Sequence, residues 1–441
     1  MKGTSAASSS DLRRVAFAAG IGSLAEYFDW GVAAPISALV WPSVFFPQLS
    51  PAEALAASLA TFGSVYLVRP IGAYLFGRFG DEKGRRTSLT WTLVAMGLGS
   101  LGLGLSPSYS MVGSIAPAFL IGMRLVQGMG HGGEWGGAST WIAELASNTK
   151  RRAFWTSWVT FAAPAGNLLA SMSFFWLSLT MHRADFFSYG WRILFASGAI
   201  VAVIGLLIRW RFVESPVFEA ERSRPATEIP QPGFLRTEWR RLLTLTLSFG
   251  FLSLVVGILT STYGLGYLAA LGVTTTQATF YAWIARIPGL IAFIVSAFLA
   301  DLKGRLFPLR IGTLLLIPAV LLFFPLVNLK TFYDTLLAFV IIEIPVDFAS
   351  GGIAALFTES FRTRHRSKGA GLSYHSGSLI SGVVLTIIVP TLVSSLGSVT
   401  AASGTVSVML ACFLVISLLT SLKVPETLVK GRPPGLVPSV S

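Results

Sequence analysis

The chain has 441 residues, 53% of them hydrophobic and only 12% charged, about half the charged share of an ordinary soluble domain. That shortage excludes a conventional water-soluble enzyme, whose surface needs charge to stay in solution. The formal net charge of +13 does not require nucleic acid, because basic loops also fix orientation in a membrane.

Twelve apolar segments follow in chain order, near 15–39, 54–78, 88–105, 112–144, 153–180, 189–211, 242–269, 275–299, 307–327, 334–358, 370–393 and 401–422. Each is long enough to cross a hydrocarbon layer as a helix of about 20 residues. The small Ser/Ala stretch of the polar start precedes the first apolar segment, which reads as a retained span and not a cleavable leader. Basic residues alternate from loop to loop. The start, 78–86, 150–152, the central segment counted from Arg209, 303–310, 362–368 and the tail counted from Lys423 hold 27 of the 33 Lys+Arg, and the other loops hold little beyond Arg183, Arg192 and Lys330. The positive-inside rule then places both termini in the cytoplasm of a protein of the inner membrane.

The longest polar stretch carries Pro216, Pro225, Pro230 and Pro232 and reads as a linker. The expected organisation is a first six-span bundle over 1–213, a linker over 214–241, a second bundle over 242–424 and a tail over 425–441. The halves echo each other. Gly80-Asp81-Glu82-Lys83-Gly84-Arg85 follows the second span and Ala300-Asp301-Leu302-Lys303-Gly304-Arg305 the eighth. Glu214-Ser215-Pro216 follows the sixth and Pro425-Glu426-Thr427 the twelfth. Such repeats mark transporters built from two related bundles.

The few charges inside the apolar spans are the functional candidates, since an intramembrane Arg costs roughly 2.5–3.5 kcal/mol on insertion scales and faces a cavity or a partner. Arg69, Arg124, Arg192 and Arg286 are candidate anion-binding groups, the alternative for each being a buried ion pair between helices. A guanidinium reads a carboxylate through two parallel hydrogen bonds. The acids of the same layer are Asp29, Glu134, Glu343 and Asp347. A carboxyl removed from water holds its proton to higher pH, which a proton-coupling site requires, and His131 joins them as a group that titrates near neutrality. Asp29 and Glu134 have the alternative of pairing with Arg69 or Arg124. Glu343 and Asp347, four residues apart, share a helix face, and two carboxylates there could instead read a substrate amine. Tyr27, Phe28, Trp30, Trp135 and Tyr374 are candidate cavity aromatics, and the glycines from Gly128 to Gly137 favour close helix approach.

Cys412 is the only cysteine, and His131, His182, His365 and His375 show no metal-ligand spacing, so no disulfide, metal or cofactor is expected. A phosphate-binding Gly-Lys-Ser/Thr loop is missing from the sequence, which argues against an ATP-driven pump, and there is no catalytic constellation.

Gly77-Arg78-Phe79-Gly80-Asp81-Glu82-Lys83-Gly84-Arg85-Arg86 resembles the signature loop of the major facilitator superfamily, and Arg124-Leu125-Val126-Gln127-Gly128 resembles its fourth-span motif. Glu26-Tyr27-Phe28-Asp29-Trp30, Arg69-Pro70-Ile71-Gly72-Ala73, Gly132-Gly133-Glu134-Trp135-Gly136-Gly137-Ala138 and Gly190-Trp191-Arg192 look like its metabolite:proton symporter family, of which the shikimate-type branch is the closer. The resemblance implies a gate at Gly77, Asp81, Gly84, Arg85 and Arg86, with Asp301 and Arg305 as its repeat in the second half. Leu194, Arg362 and His375 depart from the family pattern, in place of two prolines and an asparagine.

The expectation is therefore an all-α membrane protein of twelve transmembrane helices in two pseudo-symmetric six-helix bundles. It would act as a monomer, importing a small organic acid with protons by alternating access. The anion would bind among Arg69, Arg124 and Arg192 while Asp29 and Glu134 take the proton. A proton-coupled importer of a zwitterion such as proline or betaine, and an efflux permease, are the alternatives.

Overall fold

The computed structural model describes residues 9–147, 149–210 and 234–428. The prolines of the expected linker, Glu214-Ser215-Pro216 and most of the tail lie outside the described residues. Within them the chain is helical without strands, and twelve long helices succeed one another: α1 (Ser9–Leu39), α2 (Pro51–Lys83), α3 (Arg85–Gly104), α4 (Ile115–Leu145), α5 (Arg152–Thr180), α6 (Phe186–Arg209), α7 (Phe234–Ala270), α8 (Thr275–Lys303), α9 (Leu306–Asn328), α10 (Phe332–Glu359), α11 (Arg366–Leu396) and α12 (Val399–Ser421). Each apolar segment read from the sequence falls on one of them, apart from up to three residues at an end. Eight of the twelve are long and apolar enough by length and composition to cross a membrane. Among the other four, α1 and α4 carry charges that the fold buries, Glu26 and Asp29 on one, Arg124 and Glu134 on the other. Helix α7 begins at Phe234, ahead of the expected start at 242. Arg236, Glu238, Arg240 and Arg241 end the hydropathy there without ending the helix, because charged residues are good helix formers.

The repeat is visible in how the helices begin and end. Helix α2 starts on a capping box in which Ser50 and Glu53 satisfy each other's backbone N–H groups, and α8 starts on the same device built from Thr274 and Gln277. Both stop at a glycine of positive φ, Gly84 at 111° and Gly304 at 118°, a region closed to side chains with a Cβ. The chain turns sharply there, and the next helix begins at once.

Packing follows the same two-fold logic. Helices α2 and α4 pair as α8 and α10 do, α1 and α5 as α7 and α11 do, and the halves meet through α2 against α11 and α5 against α8. Helices α3, α6, α9 and α12 stand outside. Their outward faces leave Trp91, Ile200, Leu322 and Val408 more than half exposed, which suits a lipid solvent. Among the described residues α4 and α10 carry the most buried charges, three each, with Glu26 and Asp29 on α1 and one buried arginine each on α2 and α8.

Candidate transport site and gate

A cavity of about 110 Å³ lies between the halves, against the ~10–15 Å³ that holds one water molecule. Its walls come from α1, α2 and α5 on one side and from α7, α8, α10 and α11 on the other. Arg69 on α2 is its positive group in the first half. The guanidinium is buried, lies 3.8 Å from the Glu26 carboxylate, donates to Nδ1 of His131 at 3.0 Å, and sits over the Tyr66 ring at 5.2 Å. Accepting from Arg69 defines His131 as the neutral ring with its proton on Nε2. The wall is completed by Trp30, whose Nε1 donates to the Tyr66 hydroxyl at 2.7 Å, and by Tyr27, whose hydroxyl meets that of Tyr374 on α11 at 2.5 Å and so bridges the halves.

The second half supplies the opposite pole. Arg286 on α8 lies 3.7 Å from Glu343 on α10 and donates to Ser261 at 3.3 Å. Asp347 occupies the next turn of the same face, as the four-residue spacing requires. It is 6% exposed and lines the cavity. Helix α7 passes this wall with a π-turn over Val256–Ser261, a local widening common at functional sites. A smaller pocket shares Trp30, Asn167 and Arg286 with the cavity and runs on past Pro35, Leu265 and Thr279, towards the end away from Gly84 and Gly304.

Four other candidates lie off the cavity. Asp29 accepts from Ser100 and from Gln127 at 3.1 Å, and Arg124 donates to Gln127 at 2.5 Å and to the Phe62 carbonyl at 3.1 Å. These residues tie α1, α2, α3 and α4 together inside the first half. Glu134 pairs with neither Arg69 nor Arg124. It accepts from Arg209 at the end of α6 and from Thr92 at 2.7 Å. Arg192 is half-buried at the start of α6, where it donates to the carbonyls of Gly104 and Ser106 at 3.3 and 2.7 Å and closes the end of α3, as a cation does at a helix C-terminus. The structure thus brings Arg69, Arg286, Tyr27, Tyr374, Glu343 and Asp347 to one cavity, with His131 behind Arg69, and disperses the rest. Trp135 lies beneath it, stacked on the Tyr374 ring at 4.1 Å.

The end that carries Gly84 and Gly304 is shut. Asp81 pairs with Arg85 and accepts from the backbone N–H of Lys368 at the start of α11 at 3.4 Å. Arg85 reaches on to Glu144 at 3.1 Å. In the second half Asp301 pairs with Arg305 at 2.7 Å and accepts from the N–H groups of Ala153 and Phe154 at 2.8 and 2.9 Å, and Arg305 pairs with Glu359 at 3.0 Å. Each carboxylate therefore holds the N-terminus of a helix in the opposite half, where the helix dipole favours an anion. Arg86 donates to the Trp210 carbonyl at the end of α6. Gly77 on α2 has no room for a side chain, since a Cβ would come within 2.8 Å of the Lys368 backbone. Gly136 is pressed as closely on Gly371, α4 on α11. The cavity is therefore closed at this end and continues through the smaller pocket at the other.

The major facilitator superfamily model matches residues 19–385. The chain belongs to that superfamily. Among its relatives is the inner membrane metabolite transport protein YhjE of Escherichia coli K12, 32% identical over 94% of each chain. The shikimate transporter of the same organism is 31% identical over 84% of this chain and 85% of its own, and its proline/betaine transporter is 38% identical over 47% of this chain and 41% of its own. The solved structure of the proton:xylose symporter XylE bound to 6-bromo-6-deoxy-D-glucose superposes over 97% of this chain and 98% of its own with a TM-score of 0.79, at 20% identity, which establishes a common fold. This major facilitator chain is thus a multi-pass membrane transporter with the twelve-helix, two-bundle fold expected of it, and not an enzyme.

Two buried charged residues next to the candidates escaped sequence reasoning. Glu26 stands out in the sequence only as part of a family-like string, although it is the carboxylate beside Arg69. It is three residues from Asp29, and helical geometry alone does not say which of the two meets Arg69. Arg209 closes an apolar run and reads as an orientation signal, yet it is fully buried against Glu134.

Proposed function

We propose that this transporter carries a small carboxylate-bearing metabolite inward together with a proton, by alternating access, as a monomer of the cytoplasmic membrane with both termini inside. The supporting observation is the Arg69–Glu26 pair. A buried guanidinium whose carboxylate partner is 3.8 Å away, and lacks any hydrogen bond among the described residues, can exchange that partner for another anion. When Glu26 takes a proton, Arg69 loses its counter-charge and binds the substrate carboxylate. When the substrate leaves, Glu26 gives up its proton and the pair reforms. Binding of anion and proton are linked, which is the thermodynamic requirement for symport. The relatives named for shikimate and for proline or betaine transport favour a carboxylate, since all three compounds carry one.

The gate supports the alternating part of this reading. Asp81 and Asp301 would hold the shut end, and the basic loops around them favour a cytoplasmic side for it under the positive-inside rule. The described conformation then faces outward, and rocking of the halves would break both helix N-terminal contacts. Asp29, Arg124 and Glu134 act as ties that let the first half move as a rigid body.

The test is uptake into proteoliposomes with an inward proton gradient, across shikimate, benzoate, dicarboxylates, citrate and proline. Accumulation of a carboxylate that a protonophore abolishes supports the proposal; accumulation that the protonophore leaves unchanged refutes proton coupling.

A further inference from the structure

We infer that Asp347 is a subsite for a cationic nitrogen, so that the metabolite carried by this transporter bears a positive nitrogen as well as its carboxylate. The inference rests on the carboxylate reading above and narrows it. It starts from a charge count. The cavity and its immediate backing hold two cations, Arg69 and Arg286, and three carboxylates, Glu26, Glu343 and Asp347. Arg69 has Glu26 at 3.8 Å, and Arg286 has Glu343 at 3.7 Å. Asp347 is left over.

Its surroundings offer no substitute. The carboxylate is 6% exposed, and its Oδ2 has no hydrogen-bond partner among the described residues. Ser350, three residues on along the same helix, donates to the Val346 carbonyl at 2.8 Å. Across from it α8 presents Gly289, where a Cβ would collide with Oδ2, so the absence of a side chain there makes room for the carboxylate. A buried carboxylate without an ion-pair partner is strongly unfavourable unless a proton or a positive charge joins it, and the cavity side is where such a charge can enter.

The loaded state shows why that charge belongs to the substrate. With Glu26 protonated, Arg69 and Arg286 balance Glu343 and Asp347. A metabolite with one carboxylate and one cationic nitrogen then leaves the cavity neutral, its carboxylate on Arg69 and its nitrogen on Asp347. A nitrogen-free acid leaves an excess negative charge in a region of low dielectric, or demands a second proton. The aromatic walls suit the same chemistry, since Tyr27, Trp30, Tyr66 and Tyr374 line the cavity and ring faces attract cations.

The experiment uses pairs of compounds that differ only in the nitrogen: glycine betaine against 3,3-dimethylbutanoate, and L-proline against cyclopentanecarboxylate, with shikimate as a further nitrogen-free acid. Uptake into proteoliposomes is compared for the wild type, D347N, D347E and G289A, each checked for a monodisperse elution profile and its melting temperature. The expected result is at least tenfold faster uptake of the nitrogen-bearing member of one or both pairs. That advantage falls to near parity in D347N, is partly kept in D347E, and is reduced in G289A, whose methyl group displaces the carboxylate. The two pairs separate an ammonium with N–H donors from a quaternary one. Equal uptake within both pairs, or an advantage that D347N leaves intact, overturns the subsite while leaving carboxylate transport standing. A wild type that moves no carboxylate of either kind overturns the carboxylate reading, and the subsite with it.

Discussion

Glu26→Gln is the perturbation that bears most directly on coupling. The amide keeps the shape of the side chain and can neither ionise nor release a proton, so Arg69 loses its carboxylate partner at 3.8 Å. Two unit charges at that separation attract by about 4 kcal/mol at an effective dielectric constant near 20, which is ample to make a substrate carboxylate and the ionised Glu26 exclude each other. In the wild type, with voltage clamped at zero and the lumen one pH unit more alkaline, one coupled proton accumulates substrate about tenfold, equivalent to roughly 1.4 kcal/mol. E26Q should still bind and exchange the carboxylate, because Arg69 is permanently free, but should stop near equal concentrations on the two sides. The assay is uptake of a labelled carboxylate in valinomycin-clamped proteoliposomes, with counterflow to report exchange. The sign for affinity is also set: wild-type binding weakens as pH rises and Glu26 ionises, whereas E26Q binding is flat. Retention of tenfold accumulation by E26Q would show that the proton travels on another group and would refute the Arg69–Glu26 exchange.

Arg69→Lys should raise the KM for the carboxylate at least tenfold, because an ammonium cannot offer two parallel donors to it; uptake kinetics in the mutant measure this, and wild-type values would remove Arg69 from the site. Asp81→Asn should weaken a charge-assisted contact on the N-terminus of α11, worth about 1–2 kcal/mol. The shut end should then open roughly tenfold more often, read as a longer distance between spin labels at Lys83 and Arg362 in a C412S background; an unchanged distance distribution would mean that Asp81 holds nothing closed. Glu134→Gln leaves Arg209 buried without its counter-ion, a loss of about 3–5 kcal/mol. It should lower the melting temperature in detergent while leaving the KM of the surviving protein unchanged, and a raised KM would place Glu134 at the substrate instead.

Much of the fold was legible because lipid enforces a simple code. Each span must be a long apolar helix to satisfy its own backbone, and each loop on one side collects Lys and Arg, so hydropathy and basic residues locate all twelve helices. The gate was legible for a related reason. Gly84 and Gly304 recur with Asp81 and Asp301 at equal spacing, and the structure gives both copies the same positive-φ turn and the same grip on a helix of the opposite half.

The site was legible only in part. Sequence alone established that the charges within the spans are few and that each needs a partner or a cavity. It placed Glu343 and Asp347 on one face, because a spacing of four residues is a local property of any helix. It could not assign partners. Arg124 and Arg69 both look like buried guanidiniums, yet one ties helices together through Gln127 and the Phe62 carbonyl while the other faces the cavity beside Glu26. Glu134 meets an arginine far along the chain, at the end of another helix. These outcomes depend on the rotation of each helix about its axis, and that rotation is settled by how whole faces pack, with Gly136 against Gly371 and α2 against α11. Local composition decides that a helix crosses the membrane; only tertiary packing decides which of its charges meet.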